Sequence, residues 1–412
     1  MLRSMFSAVS GLRVHQARMD VIGNNIANVN TVGFKSSRVT FKEIFSQTLK
    51  GASMPQEFRG GTNPQQIGLG VSLASIDTLH VRGSAQRTDN PTDLSIEGNG
   101  FFIVSDGGSP KFTRAGNFSI DALGNLVTPS GLKVMGWKAT NGVVDTAKDI
   151  EGINIKEKVS LGARVTDKIV LGGNLDARTA LNDKIPYNLT IYDSLGQSHL
   201  ITFTFRKSAS NTWDWTVSST DSTIAGLSGN TGTIEFNGDG SINTGGVSSN
   251  DLVINFNNGA NDITIPAGSI DFKNITQYAN DATIKSLEVT GNPAGTLETF
   301  NIDQYGNIYG IYSNGRSELL ATIALATFAN ELGLQKLGDN LYINTNNSGD
   351  PQIGIPGQGG RGTLNPGTLE MSNVDLSQEF TDMIITQRGF QANAKVITVS
   401  DEILQELVNL KR

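Results

Sequence analysis

At 412 residues the chain exceeds one ordinary domain and has room for two or three cores. A formal net charge of −7 without a Lys/Arg cluster leaves no basic stripe for nucleic-acid phosphates, and the lack of cysteine removes disulfides and thiolate metal sites. Glycine is abundant (47 residues) and aromatics scarce (7%), a mixture that favours turns and short strands over a large helical core.

The N-terminal run "MLRSMFSAVSGLRVHQARMD" lacks the continuous apolar segment of a secretory signal. Its arginines and serines, with no acid before Asp20, have a transit-peptide-like composition, against which a plain surface helix is the simpler reading. Met5, Leu12, Met19 and Ile26 fall seven apart, with Ala8, His15, Ile22 and Val29 three residues after each. That repeat predicts a helix over 1–30 with one narrow coiled-coil seam. His15 on that seam reads as a packed residue rather than a ligand. Four asparagines, Asn24, Asn25, Asn28 and Asn30, crowd the helix end just before Gly33 and Phe34. Asparagine is a poor interior helix residue because its amide competes for backbone hydrogen bonds. The cluster is either a fraying cap and turn, or a set of neutral amides placed at contacts between copies, where charges would repel.

Residues 31–85 carry Pro and Gly punctuation without a sustained period and read as an extended connector. Beyond them, short alternating runs are separated by the turn dipeptides Asp106-Gly107, Asn141-Gly142, Asn237-Gly238, Asn258-Gly259 and Asn314-Gly315. One pentapeptide pattern recurs as "DALGN" (121–125), "DSLGQ" (193–197) and "DQYGN" (303–307). Asp starts such a turn by binding its own backbone, and Gly takes the positive φ that closes it. Calcium could use these oxygens, but the spacing is not that of an EF-hand loop. Segments 86–147 and 286–358 share aromatic, Gly-bounded strands and predict one discontinuous inner β domain. Residues 148–285, rich in Ser, Thr, Asn and Gly and holding Trp213 and Trp215, predict an outer β domain inserted into it. The apolar run "LLATIALATFA" (319–329) is too short to span a bilayer and reads as a buried strand or short helix.

"GQGGRG" (357–362) satisfies a dinucleotide-loop pattern, but "TLNPG" follows where a helix should open, so it reads as a connector, which runs on through 359–371. A second helix is predicted over 372–412, with Leu376, Met383, Phe390, Ile397 and Leu404 again seven apart. Phe380, Ala394 and Val408 flank that row, and Gln387 and Asp401 interrupt it. Neither helix can bury its stripe alone in water. The partner of each is the other helix or copies of itself, and the basic excess of the first against the acids of the second favours pairing. The fold class is then α+β, mainly β: paired terminal coiled-coil helices carrying two nested β-rich domains.

No catalytic constellation emerges. There is no G-x-S-x-G elbow, the three histidines lack clustered ligand partners, and no carboxylate pair stands out as acid and base. The sequence therefore predicts no enzyme, no cofactor and no metal. Two stretches, "SGLRVHQARMDVIGNNIANVNTVGFKSSRVTF" (10–41) and "GFQANAKVITVSDEILQELVNLKR" (389–412), resemble the terminal signatures of the bacterial flagellar rod and hook protein family. "NPTDLSIEGNGFFIV" (90–104), "RAGNFSID" (114–121) and "YSNG" (312–315) are similar to it as well. Within that family, the chain length and large insert point to the hook branch.

The resemblance implies a structural subunit of a curved, self-assembling extracellular tube, a universal joint that passes motor torque from rod to filament. Its helices would form the inner tube and its β domains the outer layers. Implied partners are copies of itself, the distal rod, the hook cap, the first hook-filament junction protein and the flagellar type III export apparatus, with no membrane insertion. The two helical rows, the four asparagines, Gly33 and Phe34 would then form the axial interface. A distal rod or junction protein is the alternative inside the family; a secreted β-rich adhesin or hydrolase is the alternative outside it.

Overall fold

The computed structural model describes residues 2–55, 58–140 and 142–409, so expectations at Met1, Asn141 and 410–412 lie outside it. Both terminal helices are present, α1 over Leu2–Ala27 and α2 over Leu376–Asn409. Helix α1 stops where the asparagines begin to turn the chain: Asn28 Nδ2 donates back to the Asn24 carbonyl, and the Thr31 hydroxyl donates to Asn28 Oδ1. Helix α2 starts on an acid cap, because Asp375 Oδ1 accepts from the backbone N–H of Ser377 and Gln378. Everything between is strand, turn and loop apart from three single-turn 3-10 segments among the described residues.

The chain divides into two compact units. The first comprises residues 1–157, 301–309 and 318–412. Its main sheet runs, in spatial order, Ser317–Ile323, Lys133–Thr140, Phe101–Ser105, Lys111–Thr113, Leu341–Ile343 and Gln335–Gly338, each neighbour antiparallel. The run "LLATIALATFA" supplies buried strand, as its apolar continuity requires. Phe101, Ile103, Phe112, Trp137, Phe328 and Tyr342 pack one core on this sheet.

The expected extended connector over 31–85 is instead paired. Ser37–Glu43 runs antiparallel to Val71–Thr78, and Ser46–Lys50 antiparallel to Gln65–Gly68. Both strands of the second pair are exposed throughout, so no buried face imposes the alternation by which a strand is recognised. The expected connector at 359–371 also holds two short strands, Thr363–Pro366 on Leu94–Glu97 and Thr368–Glu370 on Ala85–Arg87.

The second unit comprises residues 158–300 and 310–317. A four-stranded antiparallel sheet runs Lys184–Tyr192, Ser198–Ala209, Thr212–Ser218 and Thr231–Glu235. Its strands alternate cleanly: in Ser198–Ala209, Ile201, Phe203 and Phe205 are buried while the residues between them are not. That face packs Trp213, Trp215 and Phe272 into one core shared with two three-stranded sheets. Residues 148–157 belong with the first unit, where Glu151–Gly152 pairs with Lys133–Thr140. Residues 286–300 belong with the second, where Lys285–Val289 pairs with Ile169–Asn174.

The three repeated turns share one backbone geometry, each Asp Oδ1 accepting the N–H four residues on. Asp121 Oδ1 accepts the Asn125 backbone N–H at 2.7 Å and its Oδ2 accepts the Asn125 side-chain amide at 2.7 Å. Asp303 and Asn307 repeat both bonds at 2.9 Å. The glycines that close the turns, Gly124, Gly196 and Gly306, all sit at φ between 76° and 89°. These carboxylates are spent on the chain itself.

The second unit has its own core and locally closed turns. A fragment spanning 158–317 should therefore unfold in one cooperative step followed by Trp213 and Trp215 fluorescence. A gradual, non-cooperative loss of signal would show that the unit depends on the rest of the chain.

Candidate assembly interface

Helices α1 and α2 lie antiparallel, and the residues that join them are small or polar. A Cβ on Gly11 would meet the Asn393 amide at 2.7 Å, and one on Gly389 would meet the His15 ring at 2.7 Å. Arg18 Nη2 reaches Asp382 Oδ1 at 3.0 Å, and Asn25 Nδ2 donates to Glu379 Oε1 at 2.9 Å. Burial follows the same line: Ala8, Gly11, Ile22 and Asn25 are buried on α1, and Thr386 and Ser400 on α2. Gly11, Arg18 and Asn25 are seven apart, as are Glu379, Thr386, Asn393 and Ser400. The seam is a heptad repeat written in polar and small residues. A search for apolar residues passes over it.

Of the rows expected at the seam, His15 meets Gly389 there, while the larger apolar residues run beside it. Met5, Leu12, Met19 and Ile26 are half-buried along its flank. On α2, Met383, Phe390, Ile397 and Leu404 are half-buried and Leu376 is exposed. The outer side of α2 carries Phe380, Ile384, Ile385, Val399 and Ile403, all exposed, with Ile384 at 57%. On α1, Phe6 is 70% exposed beside an open groove of about 580 Å³ lined by Val9, Arg13, Ala17, Ile44 and Leu73. Two helices that meet through polar side chains leave their oily surfaces in water.

Of the four asparagines, Asn25 is buried and does its work inside the chain. Its amide exchanges two hydrogen bonds with the main chain of Ser37, donating to the carbonyl at 2.9 Å and accepting from the N–H at 3.0 Å. A carboxylate or an apolar side chain could not do both. Asn24 and Asn30 are exposed, and Asn28 is tied to Asn24. Gly33 holds φ +69°, and a Cβ there would stand 2.5 Å from the Ala115 backbone nitrogen. Phe34 is half-buried under the Lys336 ammonium, 5.2 Å from its ring centre.

The tight approach at Gly33 delivers Lys35 into the interior. Its ammonium is fully buried, 2.6 Å from Glu370 Oε1 and 2.8 Å from the Val81 carbonyl. Arg114, also buried, stands 3.6 Å from Glu370 Oε2, donates to the Gly98 carbonyl and lies over the Phe101 ring. Glu370 Oε1 further accepts from the Gly83 N–H. Burial pushes Lys35 below the ordinary lysine range, opposed by the carboxylate of Glu370. Asn373 adds a second stitch, accepting from the Ser36 N–H and donating to the Leu79 carbonyl. The chain just after α1 and the chain just before α2 are thus tied to each other and to the β sheet. Sequence reasoning missed this cluster, although Lys35 and Arg114 both lie in stretches that carry the family resemblance.

Beside it, His80 packs edge-on to Phe101 and Tyr342. Burial, then the neighbouring cations Lys35, Arg114 and Lys336, push the imidazole down to about 4. Burial likewise pushes the Tyr342 phenol up to about 12. Among the described residues no three His, Asp or Glu side chains gather as a metal site, and no helix is long and apolar enough to cross a membrane.

Four family descriptions match the chain. They are "Flagella basal body rod protein" at 5–35, "Flagellar hook protein FlgE/F/G D1 domain" at 95–168, "Flagellar basal body protein FlaE D2 domain" at 166–292, and "Flagellar basal body rod FlgEFG protein C-terminal" at 365–410. The chain is 43% identical to the flagellar hook protein FlgE of Borreliella burgdorferi, covering 100% of both chains. It is 38% identical to that of Treponema pallidum, again over 100% of both. The fold is similar to the crystal structure of Helicobacter pylori flagellar hook protein FlgE2, with a TM-score of 0.53 at 15% identity, over 69% of this chain and 100% of that one.

Removing the central carboxylate leaves two buried cations facing each other. Glu370→Gln should cost the first unit about 3–5 kcal/mol in denaturant melts, as for other broken buried pairs. A loss below about 1 kcal/mol, the range of surface pairs, would remove the cluster from its central role.

His80 gives a pH dependence with a definite sign. Between 6.5 and about 4 the unfolded chain binds a proton that the folded chain refuses. Its contribution is therefore complete above 6.5 and is lost as the pH falls to about 4, by up to about 3 kcal/mol. Melts at stepped pH should show this loss in the parent chain and not in His80→Phe; identical profiles would refute the assignment.

Proposed function

The chain belongs to the bacterial flagellar hook protein family, and on that premise we propose that its terminal helices assemble with those of other copies through the apolar faces their mutual packing leaves exposed. It is a structural subunit of the hook, an extracellular part of the flagellum attached to the basal body, and it polymerises with itself. The observation that carries the assembly reading is the inverted helix pair: polar residues inside, and Phe380, Ile384, Ile385 and Ile403 outside.

In this reading the paired helices form the inner tube as a coiled coil, and two nested β domains build the layers around it. The division into two compact units, with the first interrupted in sequence by the second, supports the nesting. Met5, Leu12, Met19 and Ile26, with Met383, Phe390, Ile397 and Leu404, flank the polar seam and extend the apolar surface toward neighbouring copies. Leu376, Asn24, Asn30 and the turn at Asn28 are offered at the same surface, while Asn25, Gly33 and Phe34 set the geometry that presents it. Bending would come from sliding contacts between polar β surfaces of adjacent copies, with the helical tube carrying torsion. The distal rod, the hook cap, the first hook-filament junction protein and the type III export apparatus are the further partners this role calls for. No step requires a catalytic group.

Electron microscopy of the concentrated protein is the direct test: tubes are expected, and monodisperse particles under all assembly conditions would overturn the reading. Ile384→Glu sharpens it, because this side chain is exposed in the single chain. Burying its carboxylate between copies should cost about 2–4 kcal/mol per contact, raising the critical concentration at least about tenfold while leaving the chain's own melting unchanged.

A further inference from the structure

The second of the repeated turns, at Asp193, differs from the other two at one position. Where Asp121 and Asp303 are answered by Asn125 and Asn307, Asp193 is followed at the same distance by Gln197. Gln197 supplies its backbone N–H to Asp193 Oδ1 at 2.8 Å, and Oδ2 is left for longer-range partners. Those partners are His199 Nε2 at 3.2 Å and the side-chain amide of Asn258 at 2.9 Å. The other ring nitrogen of His199 faces Asp221 Oδ2 at 2.8 Å and the Thr223 hydroxyl at 3.0 Å. Asp193 and His199 are fully buried, so this network joins three loops of the second unit around one carboxylate. Burial opposes its ionisation, but the donors from Asn258, His199, Gln197 and Leu195 outweigh that and hold the carboxyl below its usual range.

Asn258 is the neutral donor of the network, and it precedes Gly259. That glycine stands at φ +87° with open space where a Cβ would point. Its backbone N–H donates to no acceptor among the described residues. Asn314-Gly315 is the contrasting case, because there the nucleophilic Gly315 N–H is held by the Tyr312 carbonyl. Asn99 and Asn237 also precede glycines, but both are exposed, so a charge formed there would stay in water.

We propose that Asn258 is a site of spontaneous deamidation whose product dismantles the Asp193–His199–Asp221 network. The Gly259 nitrogen attacks Cγ of Asn258 and a C–N bond closes a five-membered succinimide. The Cγ–Nδ2 bond breaks, and the side-chain nitrogen leaves as ammonia, taking up the proton from the Gly259 nitrogen. Water then adds to one of the two ring carbonyls and opens the ring to aspartate or isoaspartate. No oxidant or enzyme is needed. The product exchanges a donor for a carboxylate that faces two acceptors, Asp193 Oδ2 and the Gln197 side-chain oxygen, which the parent amide contacts at 2.9 and 3.1 Å. Two like charges then share one site, one of them buried. The modification would act as a slow, irreversible loosening of the second unit in a subunit that functions outside the cell.

The test uses the full chain carrying Trp137→Phe, so that Trp213 and Trp215 alone report on the second unit. After prolonged incubation in warm, mildly alkaline buffer, peptide mass mapping should find the amide-to-acid mass gain at position 258 several-fold faster than at 314. Asn258→Gln, whose ring closure would need six members, should remain unmodified there. Asn258→Asp should lower the temperature of the tryptophan transition, while Asn237→Asp should leave it unchanged. The proposal is overturned if position 258 stays an amide while 237 converts, or if Asn258→Asp melts with the parent.

Discussion

The buried contact of Glu370 with Lys35 and Arg114 is the constraint from which the rest of the first unit follows. Lys35 lies just beyond the turn that ends α1, Glu370 just before the cap that starts α2, and Arg114 just after the sheet strand Lys111–Thr113. Each charge alone would be expensive to bury, and the Glu370 carboxylate is what offsets the two cations beside it. The helices can therefore take up their mutual register only when both chain ends have reached the sheet. A hydrophobic contact in the same place would tolerate slippage, because apolar packing has no direction. Fixed hydrogen-bond geometry at Val81, Gly83 and Gly98 does not.

From that anchored root the two helices run antiparallel with a seam that is polar by design of its spacing. Glycine opposite Asn393 and glycine opposite His15 allow close approach, and Arg18–Asp382 and Asn25–Glu379 fix the register. Such a seam contributes less free energy than an apolar one of equal length, since half-exposed ion pairs and hydrogen bonds are each worth about 1 kcal/mol or less. Specificity is spent inside the chain, and the larger apolar surfaces of both helices stay exposed, free for the contacts between copies proposed above. For a tube built from one subunit this ordering is sensible. Pairing within the chain must be correct, whereas pairing between copies must be strong and repeated.

The sequence carried some of this plainly. The turns announced themselves because Asp and Gly have local chemical reasons to be where they are, and Gly124, Gly196 and Gly306 adopt the expected positive φ. The alternating strands of the second unit were equally plain, because each has one buried and one wet face. Heptad spacing located both helices, but the polar and small residues between them, Gly11, Arg18, Asn25, Glu379 and Asn393, carry no apolar signal to read. The ribbon formed by Ser37–Glu43 and Val71–Thr78 was hidden for the opposite reason: with no face deeply buried, its residues bear no alternation to read. Nothing local marks Glu370 as the partner of Lys35, because the pairing joins positions at opposite ends of the chain and exists only in three dimensions.

The asparagine cluster at the end of α1 gathers two physical demands into one segment. Asn25 must donate to a carbonyl and to Glu379 while accepting from a backbone N–H, a combination that excludes aspartate, leucine and serine in turn. Asn28 must end the helix by bonding back to Asn24, the ordinary use of an amide in a turn. Asn24 accepts that bond through its carbonyl and its side-chain oxygen, and Asn30 is exposed. At a surface that recurs with every copy, a charge would meet its own image, and an amide would not. The helix end is thus polar for internal reasons at Asn24, Asn25 and Asn28, and the exposed, uncharged Asn30 suits the contact between copies proposed above.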